Sequence, residues 1–434
     1  MLIRGGTIVS AHTQLEPMKT DLRVRGEQVA ELGNDLQAEP DEEVVDATDL
    51  LVLPGLIDSH VHFREPGATH KENFLTGTQA ALAGGVTTIF DMPNTNPPTD
   101  TRQHLDEKFA LADTSVVVDY GLYLGATESN IEEAASLAGE VVAMKMYLGS
   151  TTGNLLLTEF PPIYKHFLTF PLDKPIAVHS EDEEALRYFA AQPTTDHNQR
   201  RPPLAAEIAL SRVLAIAEET GRMLHVAHTS TAGEMELIRE AKARNVRVTC
   251  EVTPHHLFLN DEDARVLGNY GKVNPPLRSE VDRQALWTYL PYIDTIATDH
   301  APHTRAEKEQ PYDQAPSGLP EVQVMLPVLL DAVSKGQLKI KDVIERCVLN
   351  PIRIFGLQTK GALEVGMDAD IVLVNPQERH QLSSSETFSR CGWTTFDGRW
   401  VQGNVVQVFV RGVRGYDKGT ILAQPGSGRR VVLK

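Results

Sequence analysis

Cysteine is scarce in this chain: Cys250, Cys347 and Cys391 are the only three among 434 residues. They are too few and too far apart for a disulfide framework or a thiolate zinc site, so a reducing cytoplasm is the expected setting. Long apolar runs are missing too. The opening Met1-Leu2-Ile3-Arg4-Gly5-Gly6 lacks the hydrophobic stretch of a secretory leader, and no later segment is apolar for long enough to span a bilayer. No membrane partner is therefore expected. Basic charge is in deficit, with 41 Lys and Arg against 59 Asp and Glu and a formal net charge of −18. Phosphate backbones require a concentrated cationic surface, which argues against nucleic acid as a partner. There is no low-complexity tract and no clear internal repeat. The 31 glycines and 26 prolines are scattered through an ordinary globular composition.

What the chain does have is alternation. From Leu51 onward, β-rich runs alternate with helix-like stretches, and eight runs precede Leu357. They are Leu51 to Phe63, Thr87 to Asn94, Val116 to Leu124, Val141 to Leu148, Pro175 to Ser180, Leu224 to Thr229, Val246 to His255 and Ile293 to His303. All but the third carry chemically capable polar residues in their second half. Segments between them, such as Leu204 to Thr220 and Gly233 to Asn245, place apolar residues at helical spacing. Strand-helix alternation implies parallel pairing, and eight units imply a closed (β/α)8 barrel of the TIM type with its active-site mouth at the strand C-termini. The flanks instead hold short alternating runs, such as Leu22 to Gly26, Ala369 to Val374 and Val405 to Val410. The expected architecture is thus α/β, with a barrel over residues 54–357. Residues 1–53 and 358–434 would together build a small composite β-sandwich domain.

Several strand ends offer metal ligands. His60 and His62 lie two apart on the first run, a spacing that turns both imidazoles to one side of a strand. The fifth run ends near His179, the sixth contains His225 and His228, and the eighth carries Asp299, His300 and His303. If the barrel closes, His60, His62, His179, His228 and Asp299 converge, a donor set suited to zinc or a similar divalent ion. His225 has the wrong parity relative to His228, and it and His256 read as hydrogen-bonded core histidines. Lys145 sits among apolar neighbours in the fourth run, where a full charge is costly. Either an ion pair or a route to the barrel mouth satisfies it, or its amine is neutral and combines with carbon dioxide to give an anionic carbamate ligand.

The segment from Pro54 to Gly67, containing Asp58-Ser59-His60-Val61-His62-Phe63-Arg64-Glu65-Pro66-Gly67, resembles the signature of cyclic-amidohydrolase barrels. Asp91-Met92-Pro93-Asn94-Thr95 narrows the resemblance to dihydroorotases. Lys145 to Leu148, Cys250 to Leu257, Val273 to Leu277 and Asp299 to His303 support it in chain order. The spacing is similar to the long class, which includes the dihydroorotase domain of the multifunctional pyrimidine-synthesis protein.

The resemblance implies the cyclisation of N-carbamoyl-L-aspartate to L-dihydroorotate in de novo pyrimidine synthesis, through a hydroxide bridging two Zn2+ or other divalent ions. His60, His62 and Asp299 would bind the more buried metal, His179 and His228 the other, and carbamylated Lys145 both. Asp299 would also shuttle the proton. Arg64 would hold the substrate carboxylate with Asn94 and His303, and Asn274 would contact the substrate. Thr151, in the glycine- and threonine-rich loop at residues 149–154, would reach the substrate from a mobile segment. A homodimer and an association with aspartate transcarbamoylase come with the same resemblance. The enzymatic rivals are allantoinase and dihydropyrimidinase, which depart from this pattern at Met92 to Thr95 and His303, and at Arg64 to Gly67, respectively. The rival from another class is an inactive scaffold for a transcarbamoylase, expected to have lost metal ligands that are all present here.

Overall fold

In a computed structural model that describes residues 1–434, eight parallel strands follow one another in chain order around a single sheet. They are β1 (Leu56–Val61), β2 (Val86–Asp91), β3 (Asp119–Gly125), β4 (Ala143–Tyr147), β5 (Ile176–His179), β6 (Leu224–Val226), β7 (Val248–Val252) and β8 (Thr295–Ile296). The ring closes just beyond β8, where Val61 bridges His300 in parallel and the His62 N–H donates to the His300 carbonyl at 2.8 Å. The (β/α)8 expectation holds, and each of the eight predicted runs overlaps one barrel strand, β2 and β3 extending one residue beyond theirs.

The first run is two strands rather than one. Leu51–Pro54 pairs with Ile371–Gln381 and Thr7–Ile8 in a flanking sheet, and only after Gly55 does the chain join the barrel. A Cβ at Gly55 would collide with the Thr87 side chain, so this crossing between sheets accepts only glycine. Periodicity could not locate the break, because both halves are extended and the residues on either side of Gly55, Leu53-Pro54 and Leu56-Ile57, are apolar.

Helices cover the barrel as their apolar stripes dictate. Pro203–Thr220 opens with a proline in its first turn and stops at Gly221, in the left-handed conformation at φ 67°. It buries Ala206, Ala209, Leu210, Val213 and Ala217, the helical spacing visible in sequence. Ala232–Ala243 begins with a reciprocal cap between Thr231 and Glu234. The lower barrel interior is filled by Ile57, Phe90, Tyr123 and Val142 together with Phe355.

Both termini build the flank. A four-stranded sheet comes from the first 46 residues, while a seven-stranded sheet sets Thr7–Ile8 and Leu51–Pro54 beside Ile371–Gln381 and Trp400–Val410. Ile3, Leu22 and Val24 of the first sheet share an apolar cluster with Val52, Ile371 and Leu373 of the second, which makes a composite sandwich. The last residues do not stay there. Val431 N–H donates to Tyr120 O at 2.9 Å and Lys434 N–H to Gly356 O at 2.8 Å, so the tail runs under the N-terminal end of the barrel. Val431 and Leu433 pack against the apolar cluster there, so side-chain burial and main-chain pairing together set the path.

Flank and barrel are pinned by a buried ion cluster. Lys360 Nζ lies 2.7 Å from Asp370 Oδ2 and 3.0 Å from Asp368 Oδ2, and it also pairs with Asp119 at the start of β3. Arg411 adds a second cation on Asp119. Replacing Lys360 by Met should cost about 3–5 kcal/mol, because it leaves buried carboxylates short of a counter-charge. Urea unfolding measures this; a change below about 1 kcal/mol would contradict the role given to the cluster.

Candidate metal centre

The strand ends bring six of the predicted side chains into one cavity: His60, His62, Lys145, His179, His228 and Asp299. Only three of its sixteen lining residues are hydrophobic, which marks a site for polar chemistry. His60 and His62, at the end of β1, aim their Nε2 atoms at the same oxygen, Asp299 Oδ1, at 3.2 and 2.9 Å. His179 closes β5, and its Nδ1 lies 3.0 Å from Nε2 of His228, just past β6. Lys145 occupies the middle of β4 and is fully buried.

Three residues at this mouth adopt the left-handed backbone that L-residues avoid: Arg64 at φ 59°, His228 at φ 37° and Asp299 at φ 49°. Each stands just beyond a barrel strand, where the turn re-aims a side chain that regular alternation would send elsewhere. Such conformations cost about 1–3 kcal/mol each and persist where the surroundings enforce them.

The second ring nitrogen of three histidines is held by a neighbouring acceptor. His60 Nδ1 lies 2.7 Å from Glu251 Oε1, His62 Nδ1 lies 2.7 Å from Asn94 Oδ1, and His179 Nε2 lies 2.9 Å from Glu181 Oε2. All three oxygens are acceptors, so each ring donates its N–H outward and turns a bare nitrogen to the cavity, as metal-binding histidines do. Glu251 and Glu181 were not singled out from sequence. The available signals were parity, with Glu181 two residues after His179, and the position of Glu251 in the polar half of the seventh run.

Electrostatics favour a cation here. Burial pushes His62 down to about 3 and His228 well below its usual range, which keeps both rings neutral and their lone pairs available. Burial alone would raise the Asp299 carboxyl, but its close approach to the imidazoles, His60 above all, prevails and holds it well below the usual carboxylate range. Burial brings the Lys145 amine down to about 8. Lys145 Nζ and His228 Nδ1 are buried without a hydrogen-bond partner. Imidazoles, a carboxylate and an orphaned amine in one polar cavity fit a divalent metal centre.

Arg64, Asn94, Thr151 and Asn274 also line the cavity, whereas His303 does not. His303 is completely buried behind Arg64, with Nε2 3.2 Å from the guanidinium Nη2, and its Nδ1 faces Lys71 Nζ at 3.2 Å. Asn94 is committed on both sides of its amide, to His62 and to the Thr152 carbonyl. Asn274 Oδ1 accepts from His197 Nε2 at 2.9 Å. His225 and His256 lie outside the cavity, bonded to Thr249 and to Thr253 and Pro275, in agreement with their reading as core residues.

Known proteins place this geometry in a family. A model of the Amidohydrolase family matches residues 51–415. The dihydroorotase of Halobacterium salinarum is 39% identical over 422 residues, covering 94% of this chain and 96% of that protein. The chain belongs to the amidohydrolase family, among its dihydroorotases. Another dihydroorotase, from Methanosarcina mazei, is 37% identical over 90% of this chain. Multifunctional protein CAD of Squalus acanthias is 39% identical over 88% of this chain, a match spanning 16% of that much longer protein. Among solved structures, the L-hydantoinase (dihydropyrimidinase) of Arthrobacter aurescens superposes with a TM-score of 0.93 at 29% identity, over 99% of both chains. Dihydroorotases and hydantoinases thus share this fold, and substrate choice must lie in individual side chains.

Glu251→Gln should weaken zinc binding by about 10–100-fold, the usual effect of losing a carboxylate behind a histidine ligand. Equilibrium dialysis against zinc reads this directly; unchanged affinity would remove Glu251 from the centre.

Proposed function

We propose that the chain catalyses the reversible cyclisation of N-carbamoyl-L-aspartate to L-dihydroorotate. The observation that carries this is Arg64, a buried guanidinium lining the cavity whose hydrogen-bonding neighbours are the Pro302 carbonyl and His303, neither of them a carboxylate. The ion pair with Glu65 that could have explained it is not made, because Glu65 Oε2 accepts from the Phe74 N–H. A planar fork of donors suits a substrate carboxylate, which both carbamoyl aspartate and dihydroorotate carry. A neutral hydantoin or dihydrouracil ring would leave this buried charge unpaired, a costly arrangement.

In this reading, His60, His62 and Asp299 hold one ion, zinc or another divalent metal, and His179 and His228 hold a second. Carbamylated Lys145 would serve as a ligand to both. Ions held there would supply Lewis acidity, lowering the pKa of a water and polarising the carbonyl under attack. Asp299 accepts the proton released in ring opening and returns it to the departing amide nitrogen, and its role reverses in ring closure. Arg64 fixes the carboxylate and His303 supports Arg64 from behind. Asn274 and Thr151 bound the remaining substrate space, and Asn94 acts through His62. The lysine modification joins the neutral amine to the carbon of carbon dioxide and releases one proton. Its support is a buried amine with no partner and a pKa near 8. The inactive-scaffold reading loses ground because the whole ligand set meets in one cavity. A cytoplasmic setting agrees with three free, buried cysteines, and no helix is long and apolar enough to cross a membrane. The homodimer and the transcarbamoylase association rest on family resemblance.

Steady-state turnover of dihydroorotate, dihydrouracil and allantoin tests the assignment. Dihydroorotate should lead in kcat/KM by more than about a hundredfold, since an unfilled charged subsite discriminates strongly. If it were no better than the other two, the reading would fail. The carbamate has its own pH signature. At fixed dissolved carbon dioxide, reactivation of metal-free protein by zinc should quicken as pH rises toward about 8 and level off above, as the ammonium gives way to the reactive amine. A rate independent of pH would exclude Lys145 modification as the slow step.

A further inference from the structure

The loop at residues 149–154 carries Thr151 at the cavity, and the backbone carbonyls on either side of it, Ser150 and Thr152, are tied to two different histidines of the metal centre. On one side, Arg201 Nη2 donates to Ser150 O at 2.9 Å. The same guanidinium grips Glu181, with Nε 3.2 Å from Oε1 and Nη2 on Oε2. Glu181 in turn accepts from His179 Nε2 at 2.9 Å. On the other side, Asn94 Nδ2 donates to Thr152 O at 2.8 Å, while its Oδ1 accepts from His62 Nδ1 at 2.7 Å. These relays reach different parts of the centre, since His62 faces Asp299 and His179 faces His228.

Each relay passes through one rigid, planar group. A guanidinium that turns to follow Glu181 moves its bond to Ser150, and an amide that turns to follow His62 moves its bond to Thr152. Steric contact reinforces both. A Cβ at Gly149 would collide with the Glu181 carbonyl, and one at Gly153 would sit 3.0 Å from Asn94 Cβ, so both loop ends rest on the two relay residues. Glu181 is fully buried, and a buried carboxylate keeps its charge only beside a cation and donors, here Arg201 and His179.

We propose that Arg201 is a positioning residue that couples occupancy of the metal centre to the placement of the loop bearing Thr151. The proposal rests on the reading that His179 and His62 hold ions. An ion on the inner nitrogen of His179 makes its outer N–H a stronger donor, which fixes Glu181, then Arg201, then Ser150. Arg201 itself touches neither the inner ring nitrogens nor the substrate space, and it acts through Glu181 and the loop.

Amide hydrogen exchange of the full chain, with and without saturating zinc and in the absence of substrate, tests this independently of turnover. In the unaltered protein, zinc should slow exchange within residues 149–154 by about tenfold, the effect of firming one charge-assisted hydrogen bond. Arg201→Met should still bind zinc with the same stoichiometry, measured by elemental analysis, yet lose most of that protection, while helix Pro203–Thr220 exchanges as before. Glu181→Gln, measured at saturating zinc, should show the same loss and serves if Arg201→Met does not fold. Loop exchange indifferent to zinc in the unaltered protein, or full zinc-linked protection in either variant, would overturn the coupling. Because no substrate is present, a failure of the dihydroorotase assignment would leave this result intact, and the reverse.

Discussion

An imidazole has two nitrogens, and only one of them can serve the cavity. The centre depends on the acceptors around the rings, Glu251, Asn94 and Glu181, that take the other nitrogen's proton and so decide which face of each ring looks inward. In a buried site this matters more than in water, because a misdirected N–H would be both an unsatisfied donor and a repulsive neighbour for a cation. Two of those acceptors are themselves buried carboxylates. Glu251 keeps its charge beside His60, and Glu181 beside Arg201 and His179, so the cost of the inner ligands is spread outward through the protein.

The barrel makes this possible by separating its two ends. Its lower interior is packed with Ile57, Phe90, Tyr123, Val142 and Phe355, and the Lys360 cluster locks the flank beneath it. The upper end gives up packing for function. Arg64, His228 and Asp299 take backbone conformations that a stability-driven fold would avoid, and Lys145 and His228 hold polar atoms with no protein partner. Rigid strands below allow strained turns above, a division common to barrels of this kind.

An L-hydantoinase structure superposes on the chain almost end to end at 29% identity, which separates fold from substrate. What tips the reading is a single unpaired cation. Arg64 lines the cavity with no carboxylate beside it, and His303, buried behind it, contacts the guanidinium. Selectivity of this sort needs few residues because the penalty for leaving a buried charge unmatched is large.

The eight strands, the helices between them and the side chains that gather at the mouth were legible in the sequence, because period-two alternation, helical spacing and His or Asp at strand ends are local patterns with direct physical causes. Lys145 stood out for the same reason, as a charge in an apolar strand. Other features had no local signature. The break at Gly55 depends on a clash with Thr87, the return of the tail on pairing with Tyr120, and the retreat of His303 on its packing behind Arg64. Glu181 and Glu251 resemble any acidic residue until Arg201, 20 positions from the first, and His60, 191 from the second, come within hydrogen-bond reach. Local chemistry thus settled which residue types reach the barrel mouth, and tertiary structure alone decided which nitrogen, oxygen or guanidinium faces which, because those choices are made by contacts between distant parts of the chain.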